Sequence, residues 1–166
     1  MKILYDHQIF TTQKYGGISR YFYELISILN CEENMQTNIP LNVSNNHYLA
    51  NKNLVNFFNF FPNKEFRGKF RLMMEWNKRG VIQEIKKQNF DIFHPTYYDP
   101  YFLKYIDEKP FVLTVYDMIH EKFSDFFPQN DKTSHYKKLL VEKASRIIAI
   151  SYSTKQDLID IFGIDA

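Results

Sequence analysis

Apolar positions at Ile18, Phe22, Leu25 and Leu29 recur at the spacing of one helix face. The sequence therefore predicts a helix from Ile18 to Leu29, ended by Asn30. Ahead of it, Ile3-Leu4-Tyr5-Asp6 is an apolar run too short for a helix and reads as a strand. Alternating Ile39, Leu41 and Val43 suit a second strand over Gln36 to Val43, which Pro40 confines to an edge or makes short. The polar run Ser44-Asn45-Asn46 opens a loop or short-helix excursion, in which Asn53 to Phe61 supplies aromatic bulk until Pro62 breaks it. From Phe66 to Gln88 a helical stripe returns through Phe66, Phe70, Met73, Asn77, Val81 and Ile85, with Gly80 as a place to bend. Lys86 and Lys87 then complement the C-terminal dipole.

Two further runs, Phe90 to His94 and Phe111 to Tyr116, are almost continuously apolar, and so is a third, Arg146 to Ser151. Strands of that kind are covered on both faces, as in a parallel sheet between helix layers. A helix from about Asp131 to Ala144, with Tyr136, Leu140 and Lys143-Ala144 on one side, precedes the third run. A last helix follows it, opened by a capping box at Ser153-Thr154-Lys155-Gln156 and closed by Gly163. This alternation predicts a three-layer, Rossmann-like, doubly wound α/β domain with a mainly parallel sheet over residues 1–166.

Composition narrows the setting. A chain of 166 residues with 45% hydrophobic content builds one ordinary core. A net charge of +2 gives no global field for nucleic acid. The single cysteine, Cys31, leaves no disulfide framework and no cysteine-rich metal site, which fits a reducing compartment. Met1-Lys2 leads straight into a strand without a signal-peptide pattern, and no apolar run approaches the roughly 20 residues of a membrane span. The expected location is the cytoplasm, including the inner face of the cell membrane. One stretch is locally charged: Asn63 to Arg79 carries six cations and two carboxylates among Phe66, Phe70, Leu72, Met73, Met74 and Trp76. It reads either as an ordinary core-facing amphipathic helix or as a surface for an anionic membrane.

In open parallel α/β sheets the ligand crevice lies beyond the carboxyl ends of the strands. The residues there are Asp6, His7 and Gly16-Gly17; His94, Thr96, Tyr97, Tyr98 and Asp99; Tyr116, Asp117 and His120; and Ser151. Such hydrogen-bonding and titratable groups suit a polyhydroxylated ligand and acid/base chemistry. Each has a plainer reading: Gly16-Gly17 as a connection, Asp6 and Asp117 as turn caps, His94 as a satisfied semi-buried imidazole. Asp117 and His120 are three apart, but with no further His or Cys at ligand spacing no metal site is expected. The nucleophile elbow, the P-loop lysine motif and Gly-x-Gly-x-x-Gly are missing, against a dehydrogenase or an ATPase.

Four segments, in order, resemble the N-terminal domain of family 4 glycosyltransferases of the GT-B fold. They are Ile3 to Asp6 with Gly16-Gly17-Ile18-Ser19-Arg20-Tyr21; Asp91 to Tyr97; Leu113 to Phe123; and Ala144 to Ser153 with Asp157-Leu158. The resemblance implies one half of a two-domain cleft whose C-terminal, donor-binding domain lies outside these residues, so that this half alone is expected to be inactive. It implies a retaining transfer of a hexose from a nucleotide-sugar donor to a glycan or lipid-linked acceptor, in polysaccharide or lipopolysaccharide synthesis at the cell surface, without a further cofactor. It puts Gly16 and Gly17 near the donor phosphates and Asp117 with His120 at the reacting sugar; His94, Tyr97, Tyr116 and Ser151, at the same strand ends, are expected around the substrates. Many relatives carry His where this chain has Tyr116. The alternative from another class is a non-catalytic binding or scaffold module on the same fold.

Overall fold

The structure, a computed structural model, describes residues 1–50 and 54–165. Strand β1 (Lys2–Tyr5) leads through the short helix α1 (Gln8–Thr12) into α2 (Gly17–Leu29), then β2 (Gln36–Asn38), β3 (Val43–Ser44), α3 (His47–Ala50) and β4 (Phe58–Asn59). The long helix α4 (Lys69–Lys86) precedes β5 (Ile92–His94), a 3-10 turn (Pro100–Lys104), β6 (Val112–Val115) and α5 (Ile119–Lys122). A second 3-10 turn (Ser124–Phe126), α6 (Thr133–Lys143), β7 (Arg146–Ala149) and α7 (Tyr152–Phe162) follow.

The pairings are parallel. β1 lies between β2 and β5, with Ile3 opposite Thr37 on one side and Ile92 on the other. A bridge from Phe93 to Phe111 carries the order across to β6, and β6 pairs with β7 from Val112↔Arg146 to Val115↔Ala149. The order is thus β2-β1-β5-β6-β7, a Rossmann-like α/β sheet whose strand order reverses between β1 and β5. β3 and β4 form a separate parallel pair.

Alternation along the strands assigns side chains to two covers. On one face, Phe22 of α2 packs edge-on against Tyr5 and His94, with ring centroids 5.9 and 5.2 Å apart. On the other, Phe93 meets Phe102 of the 3-10 turn at 4.6 Å, and Phe102 meets Phe111 at 5.2 Å. These aromatics are the centre of the core.

Several expected boundaries move. Pro40 divides the predicted Gln36–Val43 strand, so β2 stops at Asn38 and β3 starts at Val43. Within the predicted aromatic excursion, Asn53 lies outside the described residues, and Phe58–Asn59 is a strand pairing with β3. α4 begins at Lys69 rather than Phe66, and its inner stripe is Lys69, Met73, Asn77, Val81 and Ile85, with Phe70 exposed. Lys69 takes the inner place because its ammonium finds three acceptors there, the Phe61 and Lys64 carbonyls and Glu65, each at 2.9 Å. Gly80 admits the Asn42 amide, which an added Cβ would meet at 2.7 Å. The cap of α7 is Ser151, whose Oγ accepts from the Thr154 N–H at 3.1 Å; Ser153 lies inside the first turn, and Gly163 closes the helix with φ 67°. β7 is not covered on both faces as its composition suggests, since Ile148 and Ile150 are exposed.

Candidate active site

The reversal of strand order opens the crevice between the ends of β1 and β5. Asp6, the residue after β1, is fully buried and braces that opening rather than facing it. Its carboxylate accepts from the Thr96 N–H at 2.8 Å, the Thr96 hydroxyl at 2.6 Å and the Gln8 side chain at 2.6 Å. Burial nevertheless pushes its pKa up to about 6. Gln8 in turn exchanges two hydrogen bonds with the backbone of Asp99. The loops after β1 and β5 are thereby tied into one floor.

His94 and His7 stand behind that floor. His94 Nε2 meets the Thr114 hydroxyl at 2.9 Å, its ring is held by Tyr5 and Phe22, and burial lowers its pKa to about 4. His7 is buried, bonded to Thr11 at 3.1 Å, and lowered to about 3 by burial first and the Lys78 charge second. Both are neutral imidazoles near pH 7. Tyr116, also buried, donates its hydroxyl to the Thr96 carbonyl at 3.0 Å, and burial raises its pKa. Tyr97 stacks on it with centroids 6.5 Å apart and is only half-buried; burial, then the charges of Asp117 and Asp131, raise its pKa.

Asp117 follows β6 and is half-buried. One carboxylate oxygen, Oδ1, accepts from the Ile119 N–H at 3.1 Å, an Asx turn that starts α5. Oδ2 takes no hydrogen bond from the described residues. His120 does not join it. Its ring stacks on Phe127 with centroids 3.9 Å apart, and Nε2 is 3.9 Å from the Asp131 carboxylate.

The Asp117 turn is fixed from below by a residue that periodicity did not single out. Lys137 of α6 is fully buried and donates to the Asp117 carbonyl at 2.9 Å and to Glu121 at 2.8 Å, with its ammonium 5.3 Å from the Tyr98 ring centroid. The signal for it was present: Lys137, Leu140, Val141 and Ala144 fall at i, i+3, i+4 and i+7, a better inward stripe than one begun at Tyr136. A lysine on such a stripe needs buried acceptors, because a lone buried charge is prohibitively costly.

Gly16 and Gly17 sit at the start of α2. Gly16, with φ 166°, is simply extended, and an added Cβ would press only on the flexible end of Gln13. Beside Gly17 a Cβ would meet nothing within 4 Å. The Gln13 side chain accepts from the Ser19 N–H at 3.3 Å, and no acidic residue occupies the first turn. Tyr21, one turn on, packs edge-on against Tyr116 at 6.5 Å. Ser151 reaches the same edge through α7, whose Thr154 hydroxyl donates to the Tyr116 carbonyl at 3.4 Å. The edge thus gathers the start of α2, Tyr97, Tyr116, Asp117 and the cap of α7, leaving His94 beneath and His120 to one side. A groove of about 810 Å³ runs from the Ser151 cap along β7 and α7 past Ile147, Ile150 and Leu158.

The chain that forms this crevice on a Rossmann-like sheet matches a known family. The model of Glycosyltransferase Family 4 covers residues 41–166. The chain belongs to that family. The match begins at Leu41, so β1 and the Gly16-Gly17 turn precede it. No curated protein matches the chain. Family 4 membership makes this a glycosyltransferase-related domain, with a sugar donor and an acceptor as the general partners. Among the described residues no group of three His, Cys, Asp or Glu side chains is arranged to hold a metal, and no helix is long and apolar enough to cross a membrane.

Proposed function

We propose that the domain is the acceptor-side half of a retaining glycosyltransferase, moving a hexose from a nucleotide sugar to a glycan or lipid-linked acceptor in surface-polysaccharide synthesis. The observation that carries this reading is Asp117. Asp6 and His94 are buried and hydrogen-bonded and His7 is buried behind them, whereas half-buried Asp117 keeps Oδ2 unbonded on a turn that Lys137 holds still. A half-buried carboxylate so placed can accept the hydrogen bond of an acceptor hydroxyl and stabilise positive charge developing on the sugar. The Tyr97 ring offers a flat apolar face for a pyranose. The start of α2, with open space at Gly17, suits the donor diphosphate, where helix N–H groups and the dipole favour an anion. The second wall comes from a donor-binding domain, and positioning across the cleft supplies most of the acceleration.

The test is turnover by the protein that carries these residues, followed as nucleoside diphosphate released from UDP- and GDP-hexoses with a glycan or lipid-linked acceptor. Asp117→Asn is expected to lower kcat by about 100-fold or more with an unchanged circular dichroism spectrum. Wild-type turnover in a folded variant would remove Asp117 from the site, and an inverted product anomer would overturn the retaining reading.

A further inference from the structure

The strongest feature outside the crevice is the surface around Trp76. Asn63 to Arg79 holds six cations against two carboxylates, a net +4 within a chain whose formal total is +2, so everything outside it is net −2. On that surface Phe58 is 77%, Phe61 52%, Leu72 55% and Trp76 51% exposed. Large apolar groups left bare beside concentrated charge mark an interaction surface.

Its internal geometry says which groups are available. Lys69, 6% exposed at its side chain, is occupied with Glu65 and with the Phe61 and Lys64 carbonyls. It is a staple, fastening the loop before α4 to the helix. Lys78 leans over Tyr101 at 4.8 Å. Lys64, Arg67, Arg71 and Arg79 remain exposed and make no ion pair with the described residues. Leu72, Trp76 and Arg79, at i, i+4 and i+7, share a stripe turned away from the buried Met73, Asn77 and Val81.

We propose that this loop and the outer face of α4 dock on an anionic lipid bilayer, with Phe61, Leu72 and Trp76 in the headgroup boundary and the four free cations on the lipid phosphates. Ring geometry separates a bilayer from a nucleic acid as the partner. Phe60 meets Phe61 at 85° and Trp76 at 87°, and Phe61 meets Phe66 at 89°. These rings stand at right angles to one another, a clustered wedge rather than a row of parallel platforms for stacking bases. Leu72 adds aliphatic surface that suits acyl chains. An amphipathic helix of this kind lies in the interface with its apolar side about 5–10 Å deep, and each cation near an anionic leaflet multiplies binding about fivefold. The Lys69 staple orders the wedge before it binds, so little loop ordering opposes docking.

Trp76 is the only tryptophan among the 166 residues, so its fluorescence reports this site alone. The chain is titrated with phosphatidylcholine vesicles with and without phosphatidylglycerol, and with single-stranded RNA as the competing polyanion. The expected result is a blue shift and quenching by brominated acyl chains with anionic vesicles only. In Arg67→Gln/Arg71→Gln/Arg79→Gln, which touches no ion pair, partitioning should fall about a hundredfold. An unshifted Trp76 spectrum in wild-type protein with anionic vesicles, equal binding to neutral vesicles, undiminished binding by the triple variant, or tighter binding to RNA than to vesicles would each overturn the proposal.

Discussion

Buried histidines make the fold sensitive to acid. His94 and His7 have their pKa lowered from 6.5 to about 4 and about 3, chiefly by burial. The unfolded chain therefore binds protons that the folded one refuses, and stability present above pH 6.5 is lost as pH falls toward those values. Asp6 works the other way: raised from 3.8 to about 6, it favours the folded state below 3.8 and withdraws that contribution as pH rises through 6. Two histidines outweigh one carboxylate, so urea unfolding should show a net loss of about 3 kcal/mol between pH 7 and about 4.5. In His94→Gln, which keeps a partner for Thr114, that loss should fall to less than about 1 kcal/mol; an unchanged pH slope would mean that His94 titrates normally. Sequence located these residues correctly at strand ends, yet it could not distinguish a wall from its support. Asp6, His94 and Asp117 follow strands alike, and only the packing of Thr96, Thr114 and Lys137 around them separates the bonded groups from the one left open.

At the scale of elements, hydrophobic periodicity located the four long helices and the main-sheet strands, missed the short helices α1 and α5, and otherwise failed mainly at ends. Ends depend on individual hydrogen bonds, which a repeating pattern does not encode. α7 is the clearest case. The Ser153-Thr154-Lys155-Gln156 motif has the form of a capping box, but the chain enters the helix two residues earlier because β7 delivers Ser151 in extended backbone, φ −153°. Ser151→Ala should thus cost about 1 kcal/mol, while Ser153→Ala should stay within about 0.5 kcal/mol of wild type. Thermal unfolding of the two variants measures this, and a larger loss for Ser153→Ala would restore the motif reading. Asn77 shows a different limit. Periodicity placed it correctly on the inner stripe of α4, but its task was unreadable: its amide accepts from Asn42 and Val43 at 2.9 Å and donates to Val43 and Thr11 at 2.7 and 2.8 Å. It satisfies the backbone that Pro40 frees from the main sheet.

For the whole molecule, strand order was the least readable quantity, because neighbours in the sheet are far apart in the chain. β1 pairs with residues near 36 and near 92, whereas β6 and β7 pair within one helix-containing crossover. The crevice floor described above, Asp6 on Thr96, closes a loop of 90 residues, and such closures come late on the way to the native state because loop entropy precedes their reward. The crevice edge is complete only once that closure has formed. Removing the Thr96 hydroxyl in Thr96→Val should accelerate unfolding about tenfold, from 1–2 kcal/mol of lost hydrogen bonding, and leave the refolding rate almost unchanged. Stopped-flow measurement of both limbs decides this, with slowed refolding as the contrary result. A floor of that span also has a practical meaning for a growing chain: the crevice edge cannot exist until the segment near Thr96 has joined β1, so β1 must wait through the synthesis of some 90 further residues before its own end is walled.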